Sequence, residues 1–144
     1  MLMMTDRFSF LLAAICAFLI VAVPGCGGVK LHEVSGKVTI DGEVPPIPLE
    51  IRFEPVDHKG NTIGAGTSIV QKNSGTYQIF YPGGQPGLPA GEYTVLIDVV
   101  PDDETSDGQT PVSIPAKYNS RTELKAAIQP GKNENVDFDI SLRR

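Results

Sequence analysis

Residues 92–100 place Tyr93, Val95, Ile97 and Val99 on one side of an extended chain and Thr94, Leu96 and Asp98 on the other. A period of two sustained this long does not fit a helix, whose apolar stripe recurs every three to four residues. It requires a half-buried β-strand. Leu96 and Val100 on the second face predict a central strand, covered in part on both sides. The same alternation recurs along the chain. Val34, Gly36, Val38 and Ile40 share a face over 34–40, and Leu49, Ile51 and Phe53 share one over 49–54. Tyr77, Ile79 and Tyr81 do so over 76–81, Leu124, Ala126 and Ile128 over 122–128, and Val136, Phe138, Ile140 and Leu142 over 136–142. A glycine-rich stretch over 64–71 is the least regular of the set.

Turn signals separate these runs: Asp41-Gly42, Asn73-Ser74-Gly75 and Pro130-Gly131-Lys132-Asn133. Residues 82–90, PGGQPGLPA, read as a loop, and 115–119 as one helical turn. Fifteen Gly and twelve Pro fit many short strands joined by turns. Seven such strands predict an all-β domain, a seven-stranded antiparallel β-sandwich with Greek-key connections. If successive strands alternate in direction, loops 41–48, 71–75 and 101–121 gather at one end. The domain's N-terminus and the other loops gather at the opposite end.

Ahead of the strands lies a different kind of segment. Phe8 to Val23 is a 16-residue, almost wholly apolar run that follows Arg7 and precedes Pro24-Gly25. It is shorter than the ~20 residues of a comfortable bilayer span and has the layout of a signal peptide. Val23-Pro24-Gly25-Cys26 reads as a lipobox, with cleavage between Gly25 and Cys26 and lipid added to Cys26. Cys16 follows the bulky Ile15 and does not fit. After cleavage Cys26 has no partner for an internal disulfide, and acylation removes an otherwise exposed thiol. One acyl chain holds a protein to a membrane only marginally, whereas two or three hold it permanently. The expected organisation is a lipoprotein signal peptide over 1–25, a tether over 26–33 and a sandwich domain over 34–144.

Removal of 25 of the 144 residues leaves 119, enough for one domain with a core of its own. The net charge is −5 and no basic run is present, which argues against nucleic acid and against electrostatic docking on anionic lipid.

Val34 to Gly42 (VSGKVTIDG), Phe53-Glu54-Pro55, Gly75-Thr76-Tyr77, Pro89 to Val95 (PAGEYTV) and Ile114 to Tyr118 (IPAKY) occur in this order. Together they resemble small bacterial lipoproteins with a carboxypeptidase regulatory-like, transthyretin-like domain, over about 34–142. The resemblance implies a prealbumin-like sandwich and says little about function, because one fold hosts many roles.

The chemistry in view is sparse. His32 and His58 are the only histidines and carry no metal-ligand spacing. Transthyretin-like enzymes that hydrolyse 5-hydroxyisourate use histidines, an arginine and a Tyr-Arg-Gly-Ser terminus; this chain ends Ile140-Ser141-Leu142-Arg143-Arg144. Asp103, Thr105, Asp107 and Gly108 imitate the start of an EF-hand loop, but the closing Glu falls at Ile114. Related adhesin modules carry an internal Lys–Asn or Lys–Asp bond. Here Lys37 and Asp137 alternate onto the solvent face, so a bond from Lys37 to Asn135 or Asp137 is not expected.

The expectation is a non-enzymatic binding or structural module without cofactor or metal, anchored in a bacterial cell envelope through Cys26. The alternative is a carbohydrate- or peptidoglycan-binding accessory domain. Asp102, Asp103, Glu104 and Asp107, with Tyr118, form the candidate partner loop for a protein or glycan.

Overall fold

The computed structural model describes residues 28–56, 64–100 and 112–143. In these the alternating runs form two sheets. The larger takes β2 (Leu49–Pro55), β3 (Gly66–Val70), β5 (Phe80–Tyr81), β6 (Gln85–Pro86), β7 (Gly91–Val99) and β8 (Lys125–Ile128), in the order β6-β5-β3-β2-β7-β8. The smaller takes β1 (Ser35–Ile40), β4 (Thr76–Gln78) and β9 (Phe138–Ile140), in the order β4-β1-β9. The domain is thus all-β and sandwich-like, and β7 sits inside its sheet between β2 and β8 with Leu96 half-buried.

The core is the set of inward residues. Val34, Val38, Leu49, Ile51, Phe53, Val70, Ile79, Leu88, Val95, Ile97 and Ile140 are fully buried. Phe53 joins the layers: its ring centroid lies 6.3 Å from Tyr77 and 6.3 Å from Phe138 in the small sheet, and 6.2 Å from Tyr93 in its own. Such tilted and edge-on contacts add to the area the rings bury.

The structure corrects the simple strand plan in three places. The run 76–81 is not one strand: it leaves the small sheet after Gln78 and enters the large one at Phe80, pivoting on the buried Ile79. Residues 82–90 are not all loop, since β6 returns to pair with β5. Finally, β1 and β9 run parallel, with Val38 opposite Phe138 and Ile40 opposite Ile140, so the sandwich is not wholly antiparallel. This last follows from counting. Seven alternating runs point the first and the last the same way, so pairing them makes a parallel pair.

That pair carries a bulge. Val34 bridges Asn133 and Val38 pairs with Phe138, so four steps on one strand face five on the other. Asn135 absorbs the extra residue at φ 61°. The Asp137 carboxylate accepts a 2.7 Å bond from the Lys37 backbone N–H, and the Tyr77 hydroxyl donates to the Val136 carbonyl. The Lys37 and Asp137 side chains are both exposed, as their phase predicts.

Candidate functional site

The sandwich has two ends of different character. At the N-terminal end His32 exchanges backbone hydrogen bonds with Leu88, at 2.7 and 2.9 Å. Asn133 N–H donates to the Glu33 carbonyl and Ser35 N–H to the Asn133 carbonyl. The His32 side chain is buried, and its Nδ1 accepts a 2.9 Å bond from the Gly131 N–H. Gly87 lies at φ 101°, and any Cβ there would meet the His32 carbonyl, so glycine is required for this approach. Loops 82–90 and 129–133 therefore close around the entry of the chain.

The opposite end adds exposed side-chain bonds to main-chain ones: Ile40 and Glu43 exchange backbone bonds, and Asp41 N–H donates to the Ile140 carbonyl. Asp139 Oδ1 accepts from the Thr39 hydroxyl at 2.6 Å and the Gly42 N–H at 2.9 Å. These two bonds, the first the stronger, hold its carboxyl below the usual carboxylate range. Ser141 Oγ lies 2.7 Å from Asp41 Oδ1, Asn73 N–H reaches the Pro45 carbonyl, and Val100 N–H reaches that of Pro48. Loops 41–48 and 71–75 and the end of β7 thus gather here, as alternating strands require.

Of the candidate site residues, Tyr118 is the one described. It follows the short 3-10 turn Ala116–Tyr118 and is half-buried against the core. Its hydroxyl oxygen accepts a 2.9 Å bond from the Ser141 N–H, and Lys117 Nζ sits 4.9 Å from its ring centroid. Its hydroxyl is therefore committed to pinning the C-terminal segment. Gly25, Cys26, Asp102, Asp103, Glu104 and Asp107 lie outside the described residues, as does the EF-hand-like register. Among the described residues no three His, Cys, Asp or Glu side chains come together as metal ligands.

A polar groove that the sequence did not single out lies on the outer face of the large sheet, toward this far end. Glu50, Arg52, Leu96, Asp98 and Asn119 line it. Register explains the grouping: Glu50 stands opposite Asp98, and Arg52 opposite Leu96. Two carboxylates facing each other across an antiparallel pair repel, so the groove favours a donor-rich or cationic group between them. Arg52 Nε lies 3.0 Å from Glu54 Oε1 without hydrogen-bond alignment, so that contact is coulombic and, half-exposed, weak. The signal in the sequence was the outward set Glu50, Arg52 and Glu54 beside a second-face Leu96. Only the β2–β7 register turns it into a site.

No known protein family, curated protein or solved structure matches the chain.

Proposed function

We propose that the chain is a bacterial envelope lipoprotein, acylated at Cys26, whose transthyretin-like, Greek-key sandwich is a non-enzymatic binding or structural module. The observation that carries this reading is the order of the chain: a short apolar run ends in Val-Pro-Gly-Cys, and the domain's first backbone bonds begin at His32. A sandwich whose entry is knitted at one end and whose exposed loops 41–48 and 71–75 lie at the other is suited to presentation from a surface. Metabolic labelling with palmitate tests the anchor: the wild type takes up label and the Cys26→Ser variant does not. Equal labelling of the two refutes it.

The second reading, a carbohydrate- or peptidoglycan-binding accessory domain, is favoured by the outer groove. Carboxylates, a guanidinium and an amide around an apolar Leu96 match the mixed hydroxyl and C–H surface of a sugar. A glycan array tests it, with Asp98→Ala expected to abolish any signal.

A further inference from the structure

The covalent distance from the anchor to the domain is short. Backbone pairing begins at His32, six residues past Cys26, and six extended residues reach at most roughly 20 Å. The nine residues of β7 alone span roughly 30 Å. The tether is therefore shorter than the body it carries, and the body cannot tumble freely above the bilayer.

The surface nearest the tether suits contact with lipid headgroups. The exposed part of loop 82–87 is Pro82, Gly83, Gly84, Gln85 and Pro86, which carries no charge whose hydration would be lost. Val29, three residues before the His32–Leu88 pairing, is 55 % exposed. Lys30 is exposed, and Lys132 meets Glu33 at 3.3 Å and Glu134 at 3.9 Å in surface pairs that leave it able to turn to phosphate. At the far end Asp41, Glu43, Asp98 and Asp139 are all exposed. An anionic leaflet repels that end and tolerates the balanced one.

We propose that the domain stands upright, with segment 28–31 and loops 82–87 and 129–132 resting on the headgroup layer of the bilayer that holds Cys26. The far end then projects away from it. This rests on the acylation of Cys26 and adds an orientation and a lipid contact face. The lipid surface is the occupant because the chain leading to this face ends in the anchor. Any partner is met within about one domain length of the membrane.

Acylated full-chain protein, purified in detergent, is reconstituted into vesicles of phosphatidylethanolamine and phosphatidylglycerol bearing a headgroup nitroxide. A fluorophore is placed on Gln85→Cys at the tether end or Glu43→Cys at the far end; the Cys26 sulfur is blocked by lipid. Both proteins float with the vesicles, and the Gln85→Cys label is quenched several-fold more than the other. Flotation with equal quenching overturns the orientation and leaves the anchor standing. Failure to float overturns both. Insertion of a long Gly-Ser repeat between Gly28 and Val29 abolishes the difference without loss of flotation; a difference that survives overturns the tether-length argument.

Discussion

The two ends of the sandwich share main-chain bonds and differ in the side chains added to them: a buried imidazole at one, exposed carboxylates at the other. At the N-terminal end, His32 pairs with Leu88, and Glu33 and Ser35 pair with Asn133, through main chain, while the buried His32 ring accepts from the Gly131 N–H. At the far end, main-chain bonds such as Asp41 to Ile140, Ile40 to Glu43 and Asn73 to Pro45 are joined by exposed carboxylates, Asp139 to Thr39 and Gly42 and Asp41 to Ser141, and by the half-buried Tyr118 to the Ser141 amide. The buried joint at the N-terminal end needs close approach and tolerates no added atom. Side-chain joints span a gap and bend. The first kind suits a fixed point of attachment, the second an end whose loops adjust to a partner.

A glycine swap at each end sharpens the contrast and gives the largest expected effect. Gly87→Ala at φ 101° drives a methyl group into the His32 carbonyl. The strain and the broken pairing together destabilise by about 2–4 kcal/mol. Gly42→Ala at φ 83°, where a Cβ meets nothing within 4 Å, destabilises by only about 1–2 kcal/mol, the strain of the left-handed conformation alone. Urea denaturation of both variants measures the gap, and equal midpoints break the comparison.

Removal of the buried ring comes next. His32→Ala leaves the Gly131 N–H without its acceptor and opens a void, a loss of about 2 kcal/mol. Hydrogen exchange localises it: the Leu88 and Gly131 amides speed up, while the Asp41 and Asn73 amides at the far end do not.

These contrasts also explain how much was legible beforehand. The alternation over Leu49–Phe53 and Tyr93–Val99 fixes the inward faces without help from long-range contacts, and so do the flanking turns. The grouping of loops into two ends follows from alternation alone. The switch at Ile79 was not legible, because the phase of burial runs unbroken through Tyr77, Ile79 and Tyr81 while the hydrogen-bonding partner changes. The bulge at Asn135 was hidden for the same reason: apolar phase is kept while register slips by one. The burial of His32 was hidden too: the sequence shows only a histidine without ligand spacing, and nothing local announces an acceptor bond from a residue 99 positions away. The outer groove needed the β2–β7 register, which periodicity does not supply.

Two buried tyrosines, Tyr93 of the large sheet and Tyr77 of the small one, offer an alkaline test. Tyr93 donates to the Pro89 carbonyl at 2.8 Å, and burial, with a lesser push from Tyr81, raises its phenol from 10.0 to about 12. Burial also raises Tyr77, helped by the negative charge of Asp137. A raised phenol stabilises the fold fully below pH 10 and loses that contribution as pH climbs through the folded value, so Tyr93's share disappears between pH 10 and about 12. Tyr77→Phe leaves the Val136 carbonyl short of a donor and destabilises by about 1–2 kcal/mol. Its stability curve falls less steeply in alkali than that of the wild type.

The smallest effect belongs to the far end and tests the claim that its joints are soft. Asp139 is an exposed carboxylate whose two donors, Thr39 and Gly42, keep it ionised. A depressed carboxyl stabilises above its unfolded value and loses that contribution as pH falls through the folded one. Asp139→Asn keeps an acceptor oxygen at the same place and removes only the charge, in a setting where water screens it. The loss at neutral pH is therefore under about 1 kcal/mol, well below that of the His32 change. In strong acid the wild-type carboxyl is protonated too, so the two proteins converge. A loss as large as that of Gly87→Ala, or one that persists unchanged in acid, means that the far end is as rigidly built as the N-terminal end. A gradation from buried clasp to adjustable loops would then not describe this sandwich.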